Sequence, residues 1–141
     1  MMQKNSREAL GVQLGYAAGP DGNGIVYARL QSTAGERLVR AAFRVKRFAG
    51  MGEREVGYGA LTAIATVLRE RGVEKINLML SDAALIDDLV THRAVPPPLV
   101  IPYVHLRCAL NRFTGFSLSS GVEENDLAQR ARAEVALNTA A

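Results

Sequence analysis

Few side chains in this 141-residue sequence have wide chemical range, and they are scattered. A single cysteine, Cys108, cannot close an internal disulfide, and with only His92 and His105 beside it the chain is too poor in ligands for a zinc site. The two histidines lie in unrelated surroundings and read as solvated or ordinary structural residues. Cys108 sits among Leu106, Ala109 and Leu110 and reads as buried packing rather than a nucleophile. The charges are more suggestive. Between positions 29 and 54 seven cations (Arg29, Arg37, Arg40, Arg44, Lys46, Arg47, Arg54) face only Glu36 and Glu53, although the whole chain carries a net charge of +3. Such a patch attracts phosphate, or simply keeps an exposed strand edge from aggregating. Only Phe43 and Phe48 accompany it, which is thin for base stacking. Ser81-Asp82 offers a helix N-cap directly after an apolar run.

These residues are positioned by a chain long enough for one domain. Hydrophobic residues at 48% and charged residues at 22% are ordinary globular values and argue against a disordered chain. No apolar run reaches the length of a membrane helix, and the polar, mixed-charge start from Met1 to Glu8 does not read as a signal peptide, so a cytoplasmic protein is expected. Val12, Leu14 and Tyr16 alternate along a first strand, which a Gly/Pro/Asp/Asn-rich turn at 19–24 joins to a second strand over Ile25 to Leu30. After a turn at 32–35 a third strand is predicted from Arg37 to Phe48, with Val39, Ala41, Phe43 and Val45 on one side and Arg40, Arg44 and Lys46 on the other.

The period then changes. Val56, Ala60, Ala63, Ile64, Val67 and Leu68 recur at helical spacing until Gly72. Lys75 to Leu80, apolar on both faces, reads as a central strand, and the helix before it requires a right-handed crossover that makes it parallel to the first. A short helix follows Asp82, then a proline break at 95–98, a helix over Leu99 to Arg112 with Pro102 in its first turn, a fifth strand over Phe113 to Ser119, and a last helix from near Glu123. The order is β-β-β-α-β-α-α-β-α, an α/β chain with one domain over 10–136 and flexible termini at 1–9 and 137–141.

That order, with these lengths, resembles the ribonuclease H-like superfamily, in particular its small reverse-transcriptase-like branch. Three segments carry the resemblance: Val56-Gly57-Tyr58-Gly59-Ala60-Leu61 at the first helix, Ile76 to Ile86 with its Ser81-Asp82, and Leu106 to Phe116 followed by Glu123-Glu124-Asn125-Asp126-Leu127-Ala128. It implies a five-stranded mixed sheet, three antiparallel strands and then parallel ones, with helices on both faces. It also implies hydrolysis of the RNA strand of an RNA–DNA hybrid by water on two Mg²⁺ or Mn²⁺ ions, held by four acids. Those acids stand on the first strand, in the first helix, at the Ser-Asp, and at the opening of the last helix.

Residue by residue, the sequence departs at two of the four. The first-strand position falls at Gly15 or Tyr16, and the first-helix position at Gly57. Asp82 matches the third acid; Asp126 matches the fourth, with Asn125 as the alternative occupant. Asp82 and Asp126 are therefore the candidate metal ligands and vestigial catalytic residues. Of the neighbouring acids, Glu55 is two residues from Gly57 and does not share its helix face, Asp21 lies in a hairpin turn, and Glu53 could reach in only from a loop. The expectation is a non-catalytic nucleic-acid-binding module with no resident cofactor, its phosphate contacts made by Arg40, Arg44 and Lys46. The alternatives are an active Mg²⁺-dependent nuclease using Asp82, Asp126 and a displaced Glu, and a structural or self-associating protein whose apolar surface is Pro96 to Val104.

Overall fold

A computed structural model describes residues 9–50, 53–91, 95–120 and 126–140. His92, Glu123, Glu124 and Asn125 lie outside the described residues. Three strands, β1 (Leu10–Ala18), β2 (Asn23–Ser32) and β3 (Gly35–Arg44), form the antiparallel meander. Helix α1 (Arg54–Glu70) crosses over to β4 (Lys75–Leu80), and α2 (Ala83–Thr91) follows. A single 3-10 turn at Pro97–Leu99 leads into α3 (Val100–Leu110), then β5 (Gly115–Ser120) and α4 (Asp126–Ala140). The sheet order is β3-β2-β1-β4-β5, with β4 parallel to both β1 and β5.

The predicted central position of Lys75 to Leu80 is the observed one, and β3 is an edge strand as its exposed charges suggest. Two boundaries differ from the expected ones. β3 stops at Arg44 rather than Phe48, because its partner β2 begins at Asn23, opposite Arg44; Lys46 therefore lies beyond the strand. The last helix, described from Asp126, continues to Ala140, past the boundary expected at 136.

The main core lies between the sheet and α1, α2 and α3. Val12, Leu14, Val26, Ala28, Ile76 and Leu78 meet Tyr58, Leu61, Ile64, Leu68, Leu85 and Leu106. At roughly 1.5–3 kcal/mol for each large side chain, this layer supplies most of the fold's stability. On the opposite face α4 covers β1 and β2 through a separate, small cluster of Ile25, Tyr27, Leu127 and Ala131. Cys108 is exposed on α3, which corrects the expectation of a buried thiol. Helical geometry places Leu106, Ala109 and Leu110 inward and turns position 108 out. Among the described residues no helix is long and apolar enough to cross a membrane.

Candidate active-site cleft

The cleft is built where β1 and β4 run side by side. Gln13 is level with Met79, the last paired residues, and beyond them Tyr16 and Asp82 line the same cleft. Asp82 ends the apolar strand and caps α2: its Oδ1 accepts the backbone N–H of Ala84 at 3.1 Å and of Leu85 at 3.2 Å. A capping carboxylate of this kind contributes about 1 kcal/mol.

The two candidate first-strand positions differ sharply in what they face. A β-carbon on Gly15 would stand 2.2 Å from Ala128 N and 2.4 Å from Leu127 C, so the backbone of α4 lies directly on it and no side chain fits there. Tyr16 projects the other way, toward α1. A β-carbon on Gly57 would stand 3.0 Å from Tyr16 Oη and 2.8 Å from Leu85 Cδ2. Gly57 thus makes room for two side chains. Gly59 is similar, with Val45 Cγ1 2.2 Å from its would-be β-carbon. Burial, and secondarily the Asp82 charge, push the Tyr16 hydroxyl far above its ordinary range, so it stays protonated.

The cleft, about 300 Å³, is lined by Tyr16, Ala17, Ala18, Glu53, Val56, Asp82 and Arg132. Glu53 precedes α1 in a left-handed conformation (φ 63°), rare for a residue with a β-carbon, and its Oε2 is 3.4 Å from Arg47 Nη2. Glu55 turns away from the cleft into the protein, where it is 1% exposed. Its Oε2 accepts Arg47 Nε–H at 3.0 Å and the Phe48 N–H at 3.2 Å. Burial works to raise the Glu55 carboxyl, but these hydrogen bonds and the one from its own backbone outweigh it and hold the group below 4.5. Asp21 is hydrogen-bonded within its own turn, to Asn23 N and Nδ2. Asp126 is absent from the cleft lining; it pairs with Arg29 Nη2 at 2.9 Å, and that hydrogen bond lowers its carboxyl from the usual value. Among the described residues no three Asp, Glu, His or Cys side chains converge on a point.

Solved structures share this architecture over nearly their whole length. Ribonuclease H1 of the halophilic archaeon Halobacterium salinarum superposes with a TM-score of 0.69 at 20% identity, over 93% of this chain and 99% of that one. This chain has the ribonuclease H-like fold. The N-terminal ribonuclease H domain of a Mycobacterium tuberculosis protein matches with a TM-score of 0.66 at 12% identity, over 94% and 100% of the two chains. A ribonuclease H1 isolated from compost by a metagenomic approach matches at 0.59 and 8%, over 94% and 99%. No protein-family model and no curated protein sequence matches the chain.

On this ribonuclease H-like scaffold the basic stretch is mostly engaged within the chain. Arg40 Nε donates to both oxygens of Glu134 on α4, at 2.9 and 3.2 Å, and Tyr27 donates to the same carboxylate. Arg47 is committed to Glu55, Glu53 and the carbonyls of Ala18 and Gly19. Arg54 Nη1 reaches both oxygens of Asp88, which also accepts the buried Tyr58 hydroxyl at 2.6 Å. Arg29 holds Asp126 and Gln13. Arg44 and Lys46 are exposed, and Lys46 Nζ lies 5.9 Å from the Phe48 ring centre. Sequence reasoning missed Arg132 entirely. Nothing local marks it, since its place in the cleft follows from how α4 crosses β1.

Proposed function

We propose that the chain is a ribonuclease H-like module that binds nucleic acid and does not cleave it, because its metal site is incomplete. One observation carries this reading: beside Asp82, the first-strand place is filled by the Tyr16 phenol and the first-helix place by Gly57, with the phenol standing over the glycine. Two hard cations need several anionic oxygens. The donors in the cleft among the described residues, Asp82 with one oxygen spent on α2 and an exposed Glu53 shared with Arg47, do not fit such a pair.

Nucleic acid as the partner class is supported by the fold and by the cations that remain outward. Since Arg40 is held by Glu134, the phosphate contacts fall to Arg44 and Lys46. The deciding experiment is an assay of RNA–DNA hybrid hydrolysis with Mg²⁺ or Mn²⁺, run beside Asp82→Asn. No turnover above that variant is expected. Turnover abolished by that one change would replace this reading with the nuclease, for which the presence of Glu53 in the cleft is the favouring observation. A self-associating protein is favoured by Val100, Ile101 and Val104, exposed together on α3; the solution mass tests it.

A further inference from the structure

We propose that the open edge of β3 is a docking site for an extended, acidic segment of a partner protein, which adds a strand to the sheet over a groove between β3, α1 and α3. The inference goes beyond the nucleic-acid reading and does not depend on it.

β3 is the outermost strand, so one of its backbone edges faces no other strand among the described residues. Val45 N donates to Gly22 O at 2.9 Å, on the β2 side. Antiparallel alternation therefore turns the N–H and C=O of Ala42 and Arg44 the other way, to the open edge. A groove of about 540 Å³ runs along it, lined by Ala41 through Lys46 in unbroken succession. Phe43 and Val45 face α1, where they meet Gly59, whereas the side chains of Ala42 and Arg44 belong to the other face of the sheet. A lining that takes in both sets is one in which the backbone edge itself forms the wall. The floor is a stripe of α1, Gly59, Thr62, Ala63, Thr66 and Val67, and the far wall is Ile101, Pro102 and His105 of α3. The hydroxyls of Thr62 and Thr66 are spent on carbonyls one turn back, so the floor is largely apolar, and Ile101 is 66% exposed above it. From Glu55 to Val67 the helix rises about 18 Å, room for about five residues of extended chain.

An unpaired strand edge beside an apolar groove is what an added β-strand recognises: main-chain hydrogen bonds hold it, and alternate side chains enter the groove. The charges select the other alternate set. Arg44 and Lys46 are exposed on the rim, and neither forms an ion pair among the described residues. The one acid in the lining, Glu55, is already held by Arg47. The partner strand is therefore apolar toward α1 and acidic toward Arg44. A second copy of this chain offering its own β3 would set Arg37, Arg40 and Arg44 against the same cations, and like charges across a strand pair repel. A nucleic-acid strand reaches the cations but has no backbone N–H for the Ala42 and Arg44 carbonyls. A peptide seated here covers Arg44 and Lys46, and so competes with nucleic acid for them.

The test is a titration of the ¹⁵N-labelled full chain with a capped octapeptide alternating valine and glutamate, beside a capped peptide of the same composition in two blocks. The alternating peptide is expected to shift the Ala42 and Arg44 amides and to slow their exchange about tenfold; the block peptide should do neither. Ala42→Pro removes one outward N–H and no ladder hydrogen bond, a change edge strands tolerate, and should weaken binding roughly five- to tenfold. Arg44→Glu/Lys46→Glu should abolish binding, and it decides alone if circular dichroism shows that Ala42→Pro does not fold. Equal binding of the block peptide, or unchanged exchange of both amides at millimolar peptide, overturns the site. An RNA–DNA hybrid that shifts Arg44 and Lys46 while the peptide shifts nothing gives the rim to nucleic acid alone and also overturns it, leaving the module reading in place. A peptide that binds as expected to a chain that binds no hybrid supports the site and overturns the module reading.

Discussion

Arg47 Nε stands 3.0 Å from Glu55 Oε2, joining the segment after β3 to the first turn of α1 across a buried carboxylate. The same guanidinium reaches the carbonyls of Ala18 and Gly19, so one side chain fastens three segments that meet beside the cleft. Glu55 Oε1 is buried with no hydrogen-bond partner, so the carboxylate depends on the contacts of its other oxygen, to Arg47 and to the Phe48 N–H.

Arg47→Ala is therefore expected to destabilise the protein by about 3 kcal/mol, the lower end for one-sided loss of a buried pair, because Arg47 is itself about a quarter exposed. Its acid sensitivity should change as well. With the Glu55 carboxyl held below 4.5 in the folded chain, the unfolded chain binds more protons in acid. The contribution is complete above 4.5 and is lost as pH falls through the depressed folded value. Urea midpoints measured from neutral pH down to about 3 should fall in wild type and fall less steeply in Arg47→Ala.

Gly15→Ala should cost about 3 kcal/mol, the upper end for overpacking, because the new methyl meets α4 backbone rather than a movable side chain. Gly35→Ala, at a glycine with open space around it and a positive φ, loses stability through backbone strain alone. Thermal unfolding and amide exchange of the two variants separate the causes: weakened α4 protection accompanies only the first.

Asp82→Ala removes the acceptor of two N–H groups at the start of α2 and should lower stability by about 1 kcal/mol, whereas Asp82→Asn keeps an acceptor and should stay within a few tenths. Calorimetry of the two variants gives the comparison. An Asn variant as unstable as Ala would show that the charge, rather than the cap, is what the fold requires.

Arg40 and the pair Arg44 and Lys46 should part company. Arg40→Gln breaks the ion pair with Glu134 and is expected to lower the melting temperature with little effect on nucleic-acid binding. The Arg44→Gln/Lys46→Gln variant should leave melting unchanged and lower the salt slope by about 0.7 to 0.9 for each phosphate it no longer neutralises. Equal binding by wild type and both variants would remove this strand as a nucleic-acid surface.

The contrast between Arg40 and its neighbours marks where the sequence stops being readable. Alternation places Arg40, Arg44 and Lys46 on the solvent side, and β3 is indeed an edge strand with Val39 buried and Arg40 exposed. Alternation is a local property of the backbone. The acid that claims Arg40 lies 94 residues away, on a helix whose angle across the sheet no local pattern encodes. Arg54 with Asp88 and Arg29 with Asp126 are similar, so a run of seven cations reads as a patch in sequence and is largely paired in the fold. Strand order was legible for the opposite reason: the apolar faces of Lys75–Leu80 and the crossover helix before it leave few arrangements. Gly57 was legible as an anomaly, but its causes, the Leu85 side chain and the Tyr16 phenol, lie on α2 and β1.

The separate small core under α4 divides the molecule dynamically. This helix contributes Leu127 and Ala131 to the buried set and is otherwise fastened to β2 and β3 by Arg29–Asp126, Arg40–Glu134 and the Tyr27 hydroxyl. Lifting α4 uncovers the small cluster of Ile25, Tyr27, Leu127 and Ala131, a much smaller set than the layer around Leu61 and Ile76, so it costs less than unfolding that layer. Its amides should exchange with solvent through a sub-global opening that added salt makes more frequent, while those of β1 and β4 wait for the whole domain. Each such opening also carries Arg132 away from Asp82, so the cleft exists only for the fraction of time the helix is seated.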